Sequence, residues 1–140
     1  MNRIFAAQGP LFRALSGILV AGSLLNSSGL PAATPTRNIP VKMGDYRFLP
    51  DRITVQTGQT VQLELTNTDS LTPHNFTLQA AEAGLNVDVD VRAGRTEVVD
   101  ITPLASGSYK FYCNKKLLFL KSHRDRGMEG TLVVGPPGPE

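Results

Sequence analysis

The sequence predicts an all-β domain, an antiparallel β-sandwich of seven to eight short strands. Three observations carry this expectation. Apolar and polar residues alternate in several runs, most plainly in Thr60–Asn67, where Val61, Leu63 and Leu65 fall on one side and Gln62, Glu64 and Thr66 on the other. Gly and Pro punctuate these runs at short, regular intervals. No segment of useful length carries the 3.6-residue period of an amphipathic helix.

The elements follow in chain order. Arg3 and Arg13 precede the uncharged run Ala14–Leu25, and Ser28–Ala33 supplies small residues beyond it. A run of 12 residues is short of the ~20 needed to span a bilayer, so residues 1–33 read as a secretory signal peptide. No cysteine stands in the cleavage region just after the run, so a lipid anchor on a processed cysteine is not expected, nor is stable membrane insertion once the signal is removed. Residues 34–38 form a polar linker. Strands are expected at Ile39–Met43, Arg52–Val55, Thr60–Asn67, Asn75–Gln79, Asn86–Val91, Thr96–Ile101, Ser108–Cys113 and Gly130–Val134. Ala80–Gly84 has room for a helical turn. Residues 39–134 thus make one domain, and the Pro- and Gly-rich stretch 135–140 reads as a disordered tail.

Charge removes one class of function. The chain has 14 basic and 12 acidic residues, and loss of Arg3 and Arg13 with the signal leaves 12 of each. A neutral domain gives no support to nucleic-acid binding. The cations are unevenly spread, however: Lys115, Lys116, Lys121, Arg124 and Arg126 lie between Cys113 and Met128, with Asp125 the only acid among them. Such a cluster can steer an acidic partner toward whatever lies beside it.

The donor inventory is specific. Cys113 is the only cysteine, and His74 and His123 are the only histidines. Exported proteins use cysteines as disulfide pairs, so a lone one there needs another occupation, and metal ligation protects the thiolate. Taken singly, each residue has an ordinary reading: a surface histidine, a small buried cysteine, a methionine filling core. Together, two imidazoles, one thiolate and the thioether of Met128 are the donors of a copper electron-transfer site. Tyr109, Phe111 and Cys113 share one face of their strand, which turns the thiol inward with the aromatics.

Pro73-His74-Asn75-Phe76, Tyr109-Lys110-Phe111-Tyr112-Cys113 and His123-Arg124-Asp125-Arg126-Gly127-Met128-Glu129-Gly130-Thr131-Leu132-Val133-Val134 resemble the motifs of the cupredoxins, the plastocyanin and azurin family of small blue-copper proteins. The resemblance runs from about Ile39 to Val134. It implies a Greek-key sandwich, one copper per chain cycling between Cu(II) and Cu(I), and one-electron transfer without substrate chemistry, so no enzyme. By the same resemblance His74, Cys113 and His123 are equatorial ligands and Met128 the axial one. Asn75 matches a residue that braces the cysteine loop, and Phe111 packs beneath the site.

One departure is large. Nine residues, Asn114–Ser122, separate Cys113 from His123, where relatives place two to four. Lengthening a loop from four to nine residues costs only ~0.7 kcal/mol of closure entropy, against ~10 kcal/mol or more for forming a structural metal site. Length alone does not forbid ligation. The Leu117-Leu118-Phe119-Leu120 segment must then either cover the metal, plug the core, or present an apolar docking patch. In the last case Lys115, Lys116, Leu117, Phe119, Lys121, Arg124 and Arg126 form the docking surface for a redox partner protein, an acidic one by charge.

The expected role is that of an exported, monomeric electron carrier, in the bacterial periplasm by default. Copper storage, delivery or a metal-uptake accessory role uses the same residues and stays open. Multicopper oxidases need more than two histidines. Two His, one Cys and one Met make poor zinc chemistry, and nothing marks the orienting group or cleft of a Cys–His nucleophilic enzyme.

Overall fold

The computed structural model describes residues 37–138. The expected signal peptide, the first residues of the expected linker and the last two of the tail lie outside the described residues.

Among the described residues, nine strands form two packed sheets. They are β1 (Arg37–Gly44), β2 (Arg47–Leu49), β3 (Arg52–Gln56), β4 (Val61–Asn67), β5 (His74–Ala80), β6 (Leu85–Val91), β7 (Thr96–Ile101), β8 (Gly107–Tyr112) and β9 (Glu129–Gly135). One sheet has the order β2-β1-β4-β7 and the other β3-β9-β8-β5-β6. Single 3₁₀ turns occupy Ala81–Ala83 and Arg124–Arg126. The alternation of the sequence is kept: Ile39, Val41 and Met43 on β1, Val61, Leu63 and Leu65 on β4, and Ile53 and Val55 on β3 all enter the core.

Two features differ from the expectation. β1 pairs with β4, and β3 with β9, in parallel, while the other five strand pairs are antiparallel. The reason is that the chain leaves the first sheet after β2, runs through β3 in the second, and returns as β4. A strand that re-enters its sheet after an excursion across the sandwich runs with its neighbour instead of folding back on it. β1 also starts two residues before the alternating run, because Arg37 and Asn38 pair with Val61 and Gln62.

The ninth strand, β2, has no counterpart among the expected strands. It makes a hairpin with β1 through the two-residue turn Asp45-Tyr46, whose φ angles of 48° and 57° are both left-handed. Such turns normally announce themselves through Asn-Gly or Asp-Gly. Here the Asp45 N–H donates to Asp69 Oδ1 (3.1 Å), so a tertiary contact supports the turn.

The core is aromatic at the level of β8. Phe111 stacks on Phe76, with ring centroids 4.9 Å apart, and meets Phe48 edge-on at 5.1 Å. Gly130, opposite Phe111 on β9, leaves the space this ring fills: a Cβ there would collide with it and with the Asp51 carbonyl.

Candidate metal centre

The antiparallel pairing of β5 with β8, with Thr77 opposite Tyr112, runs the start of β5 toward the end of β8. His74 opens β5 and Cys113 follows β8 directly, so both arrive at the same end of the sandwich. The connection to β9 returns His123 and Met128 to that end. The three side chains His74, Cys113 and His123 are buried and form a candidate metal site.

The donor atoms form a triangle. His74 Nδ1 lies 3.0 Å from His123 Nδ1, and Cys113 Sγ lies 3.9 Å and 3.3 Å from these two nitrogens. A point about 2.0 Å from all three atoms exists at its centre, the length of a metal–nitrogen bond and a little short of a metal–sulfur bond. Two nitrogens and a sulfur around such a point fit a copper ion. Met128 is wholly buried, its N–H donates to the His123 carbonyl (3.0 Å), and its carbonyl accepts from the Cys113 N–H (3.1 Å). Its backbone therefore ties the other two loop residues together.

Each member is oriented by further bonds. The Asn75 N–H donates to Cys113 Sγ (3.3 Å), and Asn75 Oδ1 accepts from the Asn114 N–H (2.8 Å). Asn75 Nδ2 in turn donates to Thr77 Oγ1 (2.9 Å) and Asp88 Oδ1 (2.7 Å), so Asn75 spans β5, β6 and the cysteine loop. Among the described residues no buried side-chain nitrogen or oxygen lacks a partner.

Asp69, which sequence reasoning does not single out, holds His74. Its Oδ2 accepts from His74 Nε2 (2.9 Å), leaving the Nδ1 lone pair directed at Cys113 and His123. Asn67 shapes the loop that carries it, donating to the Thr72 and Val91 carbonyls (2.9 and 3.0 Å) and accepting from the Asp69 N–H (3.0 Å). The only signal is an acid five residues before a histidine in a turn-rich loop, which is common in sequences. Tyr46 is a second residue that sequence reasoning misses. Its ring stands edge-on to His123 (centroids 4.9 Å) and His74 (6.2 Å), while the Arg126 guanidinium covers it at 4.5 Å.

Burial pushes the Cys113 thiol above its ordinary 9.0, against the lowering effect of backbone N–H groups from Asn75 and Lys115. Burial, then His74 and Arg126, hold His123 below 6.5. Both groups must be deprotonated to bind a metal; the neutral histidine is favoured in advance, whereas the thiol gives up its proton to the ion.

The long loop is pinched at its base. The His123 N–H donates to the Lys115 carbonyl (2.8 Å), and Lys115 Nζ pairs with Asp90 at 2.7 Å. Residues 116–122 therefore project beyond a closed neck. Leu117, Leu118, Phe119 and Leu120 are all exposed, which removes the alternatives of a plug in the core or a buried cap. The basic residues separate into two groups. Arg124 lies over the Tyr112 ring (4.1 Å) and near Glu129, and Arg126 over Tyr46, while Lys116 and Lys121 have no ion-pair partner among the described residues.

Comparison with known proteins agrees with this geometry. The cupredoxin-like domain family matches residues 16–134. The chain is 28% identical over 128 residues to chloroplastic plastocyanin of Chlamydomonas reinhardtii, covering 86% of this chain and 79% of that protein. In structure it resembles the auracyanin of Roseiflexus castenholzii, with a TM-score of 0.59 and 21% identity, over 74% of this chain and all of that one. Auracyanin A of Chloroflexus aurantiacus, a blue copper protein, gives a TM-score of 0.56 and 22% identity, over 72% of this chain and all of that one.

Proposed function

The chain belongs to the cupredoxin-like family, and from that premise we propose that it is an exported, monomeric protein that binds one copper ion through His74, Cys113, His123 and Met128 and carries single electrons between redox partners. The observation that carries this reading is the triangle of two Nδ1 atoms and one Sγ, buried and oriented by side chains with no other evident use. The N-terminal apolar run supports export, with the bacterial periplasm as the compartment.

Bound there, copper would supply a one-electron Cu(II)/Cu(I) couple, with thiolate and thioether favouring Cu(I) and imidazole accepting either state. The chain's own part is to keep the donors still. Asp69 holds the His74 ring and its tautomer, Asn75 fixes the Cys113 loop, and the Met128 backbone couples that loop to His123. Donors held in this way need little rearrangement when the charge at the centre changes. Phe111 and Phe76 lie in the core below, where they exclude water. His123 is slightly exposed whereas His74 and Cys113 are wholly buried, so His123 is the proposed exit for the electron. The partner would meet the surface around it, steered by Lys115, Lys116, Lys121, Arg124 and Arg126.

Two histidines are too few for the several copper centres of a multicopper oxidase, which supports a carrier without catalysis of its own. The test is the visible and EPR spectrum of the chain loaded with one equivalent of Cu(II). An intense thiolate-to-copper band with narrow copper hyperfine splitting is expected. A colourless complex would overturn the blue-copper assignment and favour copper delivery.

A further inference from the structure

The segment beyond the Lys115–His123 neck has an arrangement that electron transfer does not require. Leu117 and Leu120 are joined through the Leu120 N–H and Leu117 carbonyl (2.9 Å), which turns the chain over and leaves Leu118 and Phe119 at its apex. Exposure rises toward that apex: 63% for Leu117, 78% for Leu118, 100% for Phe119, and 51% for Leu120. Four consecutive apolar side chains in water are costly, and nothing in the described chain covers them. A second apolar residue rises from another loop at the same end, Leu71, which is 90% exposed. Leu71 and Leu117 line one groove of about 260 Å³ that reaches down to His123.

Cations stand at the foot of the tip. Lys115 and Lys116 precede it and Lys121 follows, with Arg124 and Arg126 close behind. The one acid of the segment, Asp125, is engaged by the Ser122 N–H (3.2 Å), and its own N–H donates to Ser122 Oγ (3.1 Å).

We propose that this end of the sandwich is a peripheral membrane-docking surface, in which the 117–120 tip and Leu71 enter the headgroup–acyl boundary of an anionic bilayer while Lys116 and Lys121 meet its phosphates. Apolar groups at the apex with ammonium groups at the base reproduce the order of layers in a bilayer surface, apolar inside and anionic outside. Lysine stems lie along apolar surface while their heads stay with phosphate. Lysine is depleted from protein–protein interface cores, which favour Tyr, Trp and Arg, and here both arginines are folded back on the protein's own tyrosines. No helix of the described residues is long and apolar enough to cross a membrane. On the proposed carrier role, such docking would bring His123, which lines the same groove, to the membrane face.

The chain has no tryptophan, so Phe119→Trp creates a single reporter at the apex. The full-length variant is mixed with vesicles of phosphatidylglycerol and phosphatidylcholine, with and without brominated acyl chains, and with phosphatidylcholine alone. The expected result is a blue-shifted emission quenched by bromine in the anionic vesicles, weakened by salt and by omission of phosphatidylglycerol. Replacing Leu117, Leu118, Phe119 and Leu120 together by serine should weaken vesicle binding by ~10-fold or more. Unshifted, unquenched emission from the Phe119→Trp variant would overturn the proposal. So would equal binding by the serine variant, which would assign binding to the N-terminal apolar run instead. Slower electron exchange of the serine variant with an acidic soluble protein, without vesicle binding by the parent, would assign the tip to a protein partner. The metal-free chain gives the same readout, so a failed copper spectrum leaves this test intact.

Discussion

The two ends of the Cys113–Met128 connection and its middle follow opposite rules. At the ends, Cys113, His123 and Met128 are buried, bonded to one another through the backbone, and braced by Asn75 on a neighbouring strand. In the middle, residues 116–122 rise from a neck with their apolar side chains in water. A buried polar group left without a partner costs ~1–3 kcal/mol, so the ends can take few arrangements. The apolar side chains of the middle have no cavity to fill. The exposed tip lies beyond the neck, so its length is separated from the geometry of the site.

The largest expected contrast sets donor against tip. Cys113→Ser should abolish the intense visible band of the Cu(II) form, while replacing Lys116–Ser122 by an Asn-Gly turn should preserve it. Loss of colour in the shortened chain would show that the tip and the site are not separable. The next contrast is in stability. Phe111→Ala should cost about 3–5 kcal/mol in urea unfolding of the metal-free chain, against ~0.5 kcal/mol or less for Phe119→Ala. Equal costs would mean that the tip packs onto the domain in solution.

Asn75→Ala leaves the Asn114 N–H and the Asp88 carboxylate short of a partner and should cost ~1–3 kcal/mol by the same unfolding measurement. Asp69→Asn keeps the shape of the loop but weakens the hold on His74, so competition with a chelator should show Cu(II) affinity reduced by ~10-fold or more. Unchanged affinity would make Asp69 a loop residue only.

The smallest effect is in pH. Cys113 titrates above 9.0 in the folded chain, so its contribution to metal-free stability is complete below 9.0 and is lost as pH rises past it. His123 titrates below 6.5, so its contribution is present above 6.5 and is lost as pH falls. Thermal unfolding of the metal-free chain should therefore show these two contributions both in place between pH 6.5 and 9.0, and the tip variants should keep the same profile. A His123→Ala variant that kept the acid-side fall unchanged would remove His123 from this account.

Much of this is legible without any coordinates. Strands buried on one face record that fact as alternation, so β1, β3 and β4 stand out in the chain, and an aromatic strand ending in a lone cysteine marks β8. The donors stand out because cysteine and histidine are so scarce here that few combinations exist. β2 is not legible, because its turn uses Asp45-Tyr46 and is supported by Asp69 from a distant loop. Asp69 is invisible as a partner of His74 for the same kind of reason: an acid in a polar loop looks like any other until the fold turns it inward.

The class of fold, the strands of strongest alternation and the candidate donor residues are readable in the chain alone, because these depend on local periodicity and on chemistry that few residue types possess. Only the tertiary structure decided that two strand pairs run parallel, that Asp69 and Tyr46 face the histidines, and that the long loop projects as a tip. Those outcomes depend on which distant backbone groups meet. The closure of the neck by the Lys115 carbonyl and the His123 N–H is one such meeting, and every residue has a carbonyl and nearly every one an N–H.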